Sequence, residues 1–344
     1  MSTFPWNKKN WQHVTAMSQR NELPHAFLFS GLMGLGKLEF ARSLALFLMC
    51  ENNGASSGGE AASCGHCKQC KLFLANTHPD FKLLSPEEGS KVIKVDTIRL
   101  LVDFFGQSSM QGGKKIAILS PAESLNHNAA NALLKTLEEP TPNSHIILIS
   151  HSPGRLLATI RSRCQVVDFS RPSEEVTLNW LSDNVDKEEV EPIDKDDLLK
   201  VLALAQYAPL RAKEYIDSNA LKESNTMIEE LSSVLKKERV VSSVSERWND
   251  DIASLRLSWM LQWLANILKI QLAGNSTTTS DKPESKMWVY LAEHCSAKQL
   301  FDLYQLTLDE YKLFQGVSNP NKVLSFDFLL NHWLSFMHKS NQQN

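Results

Sequence analysis

The chain has 344 residues, a net charge of −3 and an apolar content of 42%, which is enough for two or three domains with real cores. No apolar run reaches the roughly 20 residues that a membrane-spanning helix needs, and the first residues lack the basic and apolar regions of a signal peptide. A charge this close to neutral also excludes a strong non-specific attraction of the whole chain to nucleic acid. We therefore expect a cytoplasmic protein without membrane association, in which any DNA contact is local or shared with partners.

The first half of the sequence alternates short apolar runs with amphipathic segments. The pattern predicts strands at residues 25–29, 81–84, 115–119, 145–149 and 165–169. Helices are predicted at 7–20, from 37 to about 50, at 96–105 and at 126–138. Continuous apolar runs are typical of buried parallel strands, and their alternation with helices indicates right-handed βαβ units. We predict an α/β domain with a parallel sheet flanked by helices over residues 1–170.

After residue 170 the pattern changes to helices only. Residues 171–218 are predicted to form a small helical lid domain, with helices near 174–183, 195–206 and 209–217. Residues 219–344 carry further apolar stripes at helical spacing, and we predict a separate all-helical C-terminal domain there.

A glycine-rich turn follows the first predicted strand and has the spacing of a phosphate-binding P-loop. The motif positions are Gly31, Gly34, Gly36 and Lys37, where backbone N–H groups and a lysine hold phosphate oxygens. Leu38 stands where the motif needs a Ser or Thr hydroxyl for Mg²⁺. Two interpretations stay open, namely weak binding of ATP or ADP, or a turn that these residues merely shape.

The second position that an ATPase needs for its metal is also altered. An acidic residue normally ends the neighbouring buried strand and holds the Mg²⁺ shell. Here Ser120 and Pro121 follow the strand at 115–119. Because both metal-handling positions are lost, we predict that this site does not hydrolyse ATP.

Four of the six cysteines lie between residues 50 and 70, a region that we interpret as a metal module. They are Cys50, Cys64, Cys67 and Cys70. In a reducing cytosol this clustering favours a metal over disulfides, and four thiolates close a tetrahedral structural Zn²⁺ site. The polar loop at 51–63 lets Cys50 join the other three. Substitution of one thiol by His66, an iron–sulfur cluster and unligated thiols are the alternatives, whereas Cys164 and Cys295 are predicted to be core residues.

Two arginines flank a serine just before the last predicted strand, at Arg161-Ser162-Arg163. This arrangement suits an anion held at a subunit edge, although a surface arginine pair is usually only solvated. If the nucleotide of another protomer docked here, Arg163 could act as an arginine finger in trans.

Together these stretches resemble the bacterial clamp-loader AAA+ family. The resemblance rests on Asn128–Pro140, on Ser162-Arg163-Cys164 and on the cysteine cluster, which stands where that family has a zinc module. It covers roughly residues 1–218 by motif. The ATPase subunits of that family, gamma/tau, keep Ser or Thr after the lysine and an acidic pair after the strand. The changes in this chain are therefore similar to those of a rigid, non-hydrolysing (stator) member.

The resemblance implies a subunit of the pentameric clamp loader of the DNA polymerase III holoenzyme, which loads the sliding clamp onto primed DNA. Its implied partners are the gamma/tau ATPase subunits and the delta subunit, with the sliding clamp and DNA contacted through the complex. Arg163 would face the ATP site of an adjacent gamma/tau subunit, and residues 219–344 would join a collar that ties the subunits together. Arg211 lies where the family places its sensor-2 segment, near any nucleotide held in cis.

Two other classes of protein stay in view. One is an active AAA+ ATPase or helicase motor that uses its own P-loop. The other is a stand-alone zinc module that binds DNA, although such modules usually surround their ligands with basic residues and only Lys68 and Lys71 are close here.

Overall fold

The computed structural model describes residues 3–55, 61–185, 193–273, 283–316 and 320–340. The chain forms two compact units, one of Met1–Ile193 with Ala205–Glu214 and the other of Asp194–Leu204 with Tyr215–Asn344. None of the described helices is long and apolar enough to cross a membrane. The domain boundaries predicted from the sequence, after residues 170 and 218, stay a prediction.

The first unit is built on a parallel sheet, as the alternation of strands and helices predicts. The strands of the described chain are β1 Ala26–Ser30, β2 Gly54–Ala55, β3 Ala61–Ala62, β4 Phe81–Leu84, β5 Lys115–Leu119, β6 Ser144–Ser150 and β7 Gln165–Asp168. Five of them form the main sheet in the order β4-β5-β6-β1-β7, with every neighbouring pair parallel. The predicted fold class, a P-loop-type α/β domain, is confirmed.

Helices cover both faces of this sheet. Those of the first half are α1 Lys8–Gln19, α2 Lys37–Met49, α3 Lys68–Leu74, α4 Val95–Gly106, α5 His127–Glu138, α6 Ala158–Arg161 and α7 Glu174–Asn184. One buried cluster packs α1, α2 and α3 against one face, and a second packs α4 and α5 against the other. Alternate side chains of each buried strand serve the two clusters, because successive residues point to opposite faces.

Local chemistry sets the ends of the helix that bears the family-like motif. The side chain of Asn126 accepts a hydrogen bond from Ala129 N–H and caps α5, as short polar residues commonly do. Leu133 and Leu137 are buried against the sheet. Pro140 follows shortly after the end of α5, where it cannot continue a helix.

The remaining helices are α8 Lys195–Leu204, α9 Pro209–Asp217, α10 Ala220–Leu235, α11 Val241–Arg247, α12 Ala253–Ala273, α13 Pro283–His294, α14 Ala297–Gln315 and α15 Lys322–Ser340. In the second unit Trp248, Trp259 and Phe326 are fully buried. Glu230 is buried too, where it accepts a hydrogen bond from Trp248 Nε1 and pairs with Arg247. The second unit therefore has an aromatic core of its own.

Helices α6, α11 and α13 and the hairpin β2–β3 were not predicted from the sequence. Helix α11 carries no apolar stripe long enough to establish a period, since it has only seven residues, three of them serine. The polar loop predicted at 51–63 contains the hairpin β2–β3, while residues 56–60 of that loop lie outside the described residues. Trp11 Nε1 donates to Ala61 O at 2.8 Å, and this bond ties the hairpin to α1.

Candidate nucleotide loop, metal centre and arginine edge

The predicted P-loop connects the end of β1 to the start of α2, as the motif requires. Gly34 and Gly36 adopt φ values of +84° and +78°, a region in which a side chain is strained. A Cβ on Gly36 would lie 2.4 Å from the ring of Phe4, and one on Gly34 would lie 2.7 Å from Arg211 Cβ. Phe4 and Arg211, which are distant in sequence, therefore pack in close contact with the two glycines.

An N-terminal segment lies across this loop. Trp6 Nε1 and Asn7 Nδ2 both donate to Leu35 O at 3.0 Å. The rings of Phe4 and Trp6 stack with centroids 4.8 Å apart, and Trp180 packs edge-on against both. We call residues Phe4–Asn7 the N-terminal strap.

The structure brings the sensor-2 candidate to the same loop. Leu210 N donates to Gly34 O at 3.1 Å, and the Cβ of Arg211 is in contact range of Gly34. Both segments that border the loop therefore bond to its backbone carbonyls.

The motif lysine is folded back onto its own loop. Lys37 is only 2% exposed, and its Nζ donates to Gly31 O at 2.6 Å and to Leu32 O at 2.5 Å. Burial lowers the pKa of Lys37 from 10.5 to about 8, with Glu123 and Glu39 acting in the opposite direction. The ammonium group is thus occupied with loop carbonyls, and its charge is costly to keep.

Sequence reasoning missed two polar residues close to this lysine. Glu123 Oε1 accepts a hydrogen bond from His151 N–H at 2.9 Å, while Glu123 Oε2 and His151 Nδ1 are buried without a partner in the described chain. Burial, together with the charge of Lys37, lowers the pKa of His151 to about 4. Their position in the sequence could have indicated them, because both residues follow the ends of buried strands, at the sheet edge that carries the loop.

The metal-handling positions contrast with this polar cluster. Leu38 offers no hydroxyl, and Ser120 and Pro121 follow β5 where a pair of carboxylates is expected. Glu123 is a single carboxylate that already accepts one hydrogen bond and faces a buried cation. Glu123 and His151 are partly buried polar residues that share the surroundings of Lys37.

The four cysteines of the predicted metal module come together in one cluster. Their Sγ atoms, on Cys50, Cys64, Cys67 and Cys70, all lie within 4.8 Å of one another. The Cys50–Cys64 and Cys64–Cys70 pairs are 3.5 and 4.0 Å apart. A tetrahedral ion with metal–sulfur bonds of 2.3 Å requires sulfur atoms about 3.8 Å apart, so the donor set fits such an ion.

Backbone N–H groups point at these sulfurs. Cys64 N donates to Cys50 Sγ at 3.2 Å, and Cys67 N and Cys70 N each donate to the preceding cysteine of the motif at 3.4 Å. Backbone hydrogen bonds from His66 and Cys67 lower the pKa of the Cys64 thiol to about 6, which favours its thiolate, whereas burial raises the pKa of the Cys50 and Cys70 thiols. The His66 ring instead hydrogen-bonds to Cys64 O. Of the described residues, this cluster is the group that could hold a metal ion.

Arg163 lies on the exposed turn between α6 and β7. Its NH2 group forms an ion pair with Glu138 Oε1 at 2.8 Å, and its NH1 group donates to Thr159 O at 2.9 Å. The two charged side chains are 36% and 49% exposed. The sequence could not reveal Glu138 as the partner, because the two residues are 25 positions apart.

Comparison with known proteins shows which family the chain resembles over most of its length. Residues 6–173 match the family described as "DNA polymerase III, delta subunit" and residues 218–335 the one described as "DNA polymerase III, delta subunit, C terminal". The chain is 34% identical over 332 residues to DNA polymerase III subunit delta' of Pseudomonas aeruginosa, covering 96% of this chain and 97% of that protein. It is 31% identical over 300 residues to the Escherichia coli delta' subunit, covering 87% and 86%.

Among solved structures, the fold is similar to a DNA polymerase III gamma subunit-related protein from Thermotoga maritima. The TM-score is 0.44 at 17% identity, over 94% of this chain and 99% of the other. A similarity this distant says nothing about function.

Proposed function

The chain belongs to the family of DNA polymerase III delta-prime subunits, and we propose that it acts in the clamp loader as a member that hydrolyses no ATP itself. In this role it assembles with gamma/tau-type ATPase subunits and a delta subunit in the cytoplasm. The complex loads the sliding clamp onto primed DNA, and this chain supplies Arg163 to the ATP site of a neighbouring ATPase subunit. Residues 171–218 would be its lid and residues 219–344 its collar domain.

The observation that carries the non-hydrolysing role is the state of Lys37. An active P-loop lysine reaches the β- and γ-phosphates, whereas this ammonium is buried and bonded to Gly31 O and Leu32 O. Leu38 next to it supplies no metal ligand. We infer that Gly31, Gly34, Gly36, Lys37 and Arg211 form a vestigial nucleotide site whose present use is structural.

The N-terminal strap supports the same inference. Its hydrogen bonds to Leu35 O and the contact of the Phe4 ring with Gly36 hold the loop in one conformation. A loop that must admit and release nucleotide has to move, so this bracing favours a rigid subunit.

The placement of Arg163 supports a role in trans. An arginine finger must project from the surface of one subunit onto the phosphates of another, and the guanidinium of Arg163 is partly exposed at the edge of the first unit. Its backbone is fixed by hydrogen bonds from Arg163 N to Ile160 O and from Cys164 N to Arg161 O. A fixed base with an accessible charge is what positioning across an interface requires.

We propose Zn²⁺ as the ion of the cysteine cluster. Four thiolates at tetrahedral spacing match a closed structural zinc site, and the ion would stabilise the fold around α3 without taking part in a reaction.

The experiment is to assemble the complex from this chain and its ATPase and delta subunits and to measure DNA-stimulated ATP hydrolysis. Arg163→Ala should leave assembly intact and lower turnover, since such a group contributes ~10³–10⁵ in rate at the site it serves. Arg155→Ala, an exposed arginine of the same unit, is the matched control. Unchanged turnover in Arg163→Ala would remove the finger from the proposal.

Two measurements on the isolated chain separate the other classes. An ATPase motor would hydrolyse ATP alone and lose that activity with Lys37→Ala. A DNA-binding zinc module would retard primed DNA in a gel at physiological salt. We expect neither hydrolysis nor a shift.

A further inference from the structure

The guanidinium of Arg163 is held at two points. Glu138 Oε1 lies 2.8 Å from NH2, and Thr159 O accepts from NH1 at 2.9 Å. A free arginine on a surface turn samples many rotamers, and ordering its long side chain is costly in entropy. An ion pair on one nitrogen and a hydrogen bond on another reduce that freedom before any partner arrives.

Both partners of Arg163 lie on parts of the chain that pack against the core. Glu138 is the last residue of α5, directly after the buried Leu137. Thr159 lies in α6, next to Ile160, which is fully buried in the same cluster. The position of the guanidinium is therefore set by the packing of two helix ends against the sheet.

The two contacts leave donors available. A guanidinium has five N–H groups; NH1 donates one of them to Thr159 O, while NH2 forms the ion pair with Glu138. These two contacts leave N–H groups to which a phosphate of a neighbouring subunit could bond while Glu138 stays in place. Arg163 can therefore keep its contacts with Glu138 and Thr159 and donate hydrogen bonds to a phosphate in the same conformation.

The charge of the carboxylate acts in the opposite direction, because it repels a phosphate. Its side chain is 49% exposed, so water and salt screen that repulsion. The attraction between Glu138 and Arg163 is screened less, because their atoms are in direct contact at 2.8 Å. This attraction should therefore outweigh the repulsion.

We propose that Glu138 is the positioning residue for Arg163, fixing the guanidinium in the conformation that meets the phosphates of the adjacent subunit. This inference rests on the proposed function, because it assigns a purpose to the ion pair only if Arg163 acts in trans. Glu138 itself touches no nucleotide.

The test uses the reconstituted complex and measures kcat and KM for ATP. Glu138→Ala should lower kcat about threefold to tenfold, the cost of ordering a freed arginine, with KM and assembly unchanged. Glu138→Asp keeps the negative charge and should recover part of the loss, whereas Glu138→Gln removes the charge of the ion pair and should not. Glu139→Ala removes the adjacent exposed carboxylate and should match the wild type.

A second measurement needs no partner. Relaxation of the Arg163 Nε–Hε group by NMR in the isolated chain should show greater mobility in Glu138→Ala than in Glu139→Ala. A merely structural ion pair would change the melting temperature but not this ordering of turnover among the variants.

The outcomes distinguish the positioning role of Glu138 from the arginine-finger role of Arg163. If Arg163→Ala lowers turnover but Glu138→Ala behaves like Glu139→Ala, the positioning role is wrong and the finger stands. A rise in turnover for Glu138→Ala also overturns it, since the carboxylate would then be restraining Arg163. If Arg163→Ala has no effect, both the finger and the role of Glu138 fall.

Discussion

Replacing Lys37 by Met tests whether the loop lysine is structural. In a working P-loop this change abolishes hydrolysis, whereas here we expect the ATPase of the reconstituted complex to stay at its wild-type level. Stability should respond instead. Burial lowers the pKa of Lys37 from 10.5 to about 8, so keeping the charge in the folded state costs about 3 kcal/mol at neutral pH.

The sign of the pH dependence follows from proton binding. Because the folded-state pKa is the lower one, the unfolded chain binds more protons between pH 8 and 10.5, and wild-type stability rises with pH across that window. The destabilisation is complete below about pH 8 and disappears above 10.5. Between pH 7 and 9.5 the wild type should gain about 2 kcal/mol relative to Lys37→Met. The two lost hydrogen bonds cost the variant a constant amount that does not enter this difference.

The assay is urea unfolding at both pH values, followed by hydrogen-exchange mass spectrometry on peptides of β1 and α2, which report the first unit. Lys135→Met, at an exposed position of α5, is the control and should show no such difference. A collapse of the complex's ATPase in Lys37→Met, or a wild-type-to-variant difference that is the same at pH 7 and 9.5, would refute the reasoning.

Two further predictions concern the zinc cluster and the loop. Metal analysis should find about one zinc per chain. Cys67→Ser should lose the zinc and lower the melting temperature of the first unit, because binding energy at a structural zinc is folding energy. Retention of the metal in Cys67→Ser would show that this thiol is not a ligand. Gly36→Ala should destabilise the first unit by about 1–3 kcal/mol, measured by urea unfolding, because of its φ of +78° and the ring of Phe4. Gly113→Ala, where a Cβ meets nothing within 4 Å, should cost far less, and equal costs would contradict the argument.

Local pattern was sufficient for most of the first unit. The run Lys115–Leu119 was predicted with the bounds that the structure has, because a continuous apolar segment between polar turns has few alternatives to a buried strand. Helix α5 was predicted at 126–138, and the structure has it at His127–Glu138 with Asn126 as its cap. Helix α11 was not predicted, because seven residues are too few to establish a period.

Some features of the candidate site could likewise be predicted from the sequence, and others could not. The spacing of the cysteines predicted a shared cluster, and the structure brings all four sulfurs together. The sequence alone shows that Leu38 cannot supply the hydroxyl ligand that a P-loop uses for Mg²⁺. Glu123 and His151 carried no motif, and only the arrangement of neighbouring strands shows that they share the space around Lys37.

The sequence by itself determined the fold class, the family resemblance and the loss of the Mg²⁺ ligands, because each depends on residue types at short, fixed spacing. Tertiary structure decided that Phe4 closes on Gly36 and that Glu138 holds Arg163. Those pairs lie 25 or more residues apart, so their contact depends on how helices and strands cross the sheet. The glycine loop shows both contributions, because its spacing predicts a P-loop-like turn, whereas the contact of Phe4 with Gly36 is visible only in the tertiary structure.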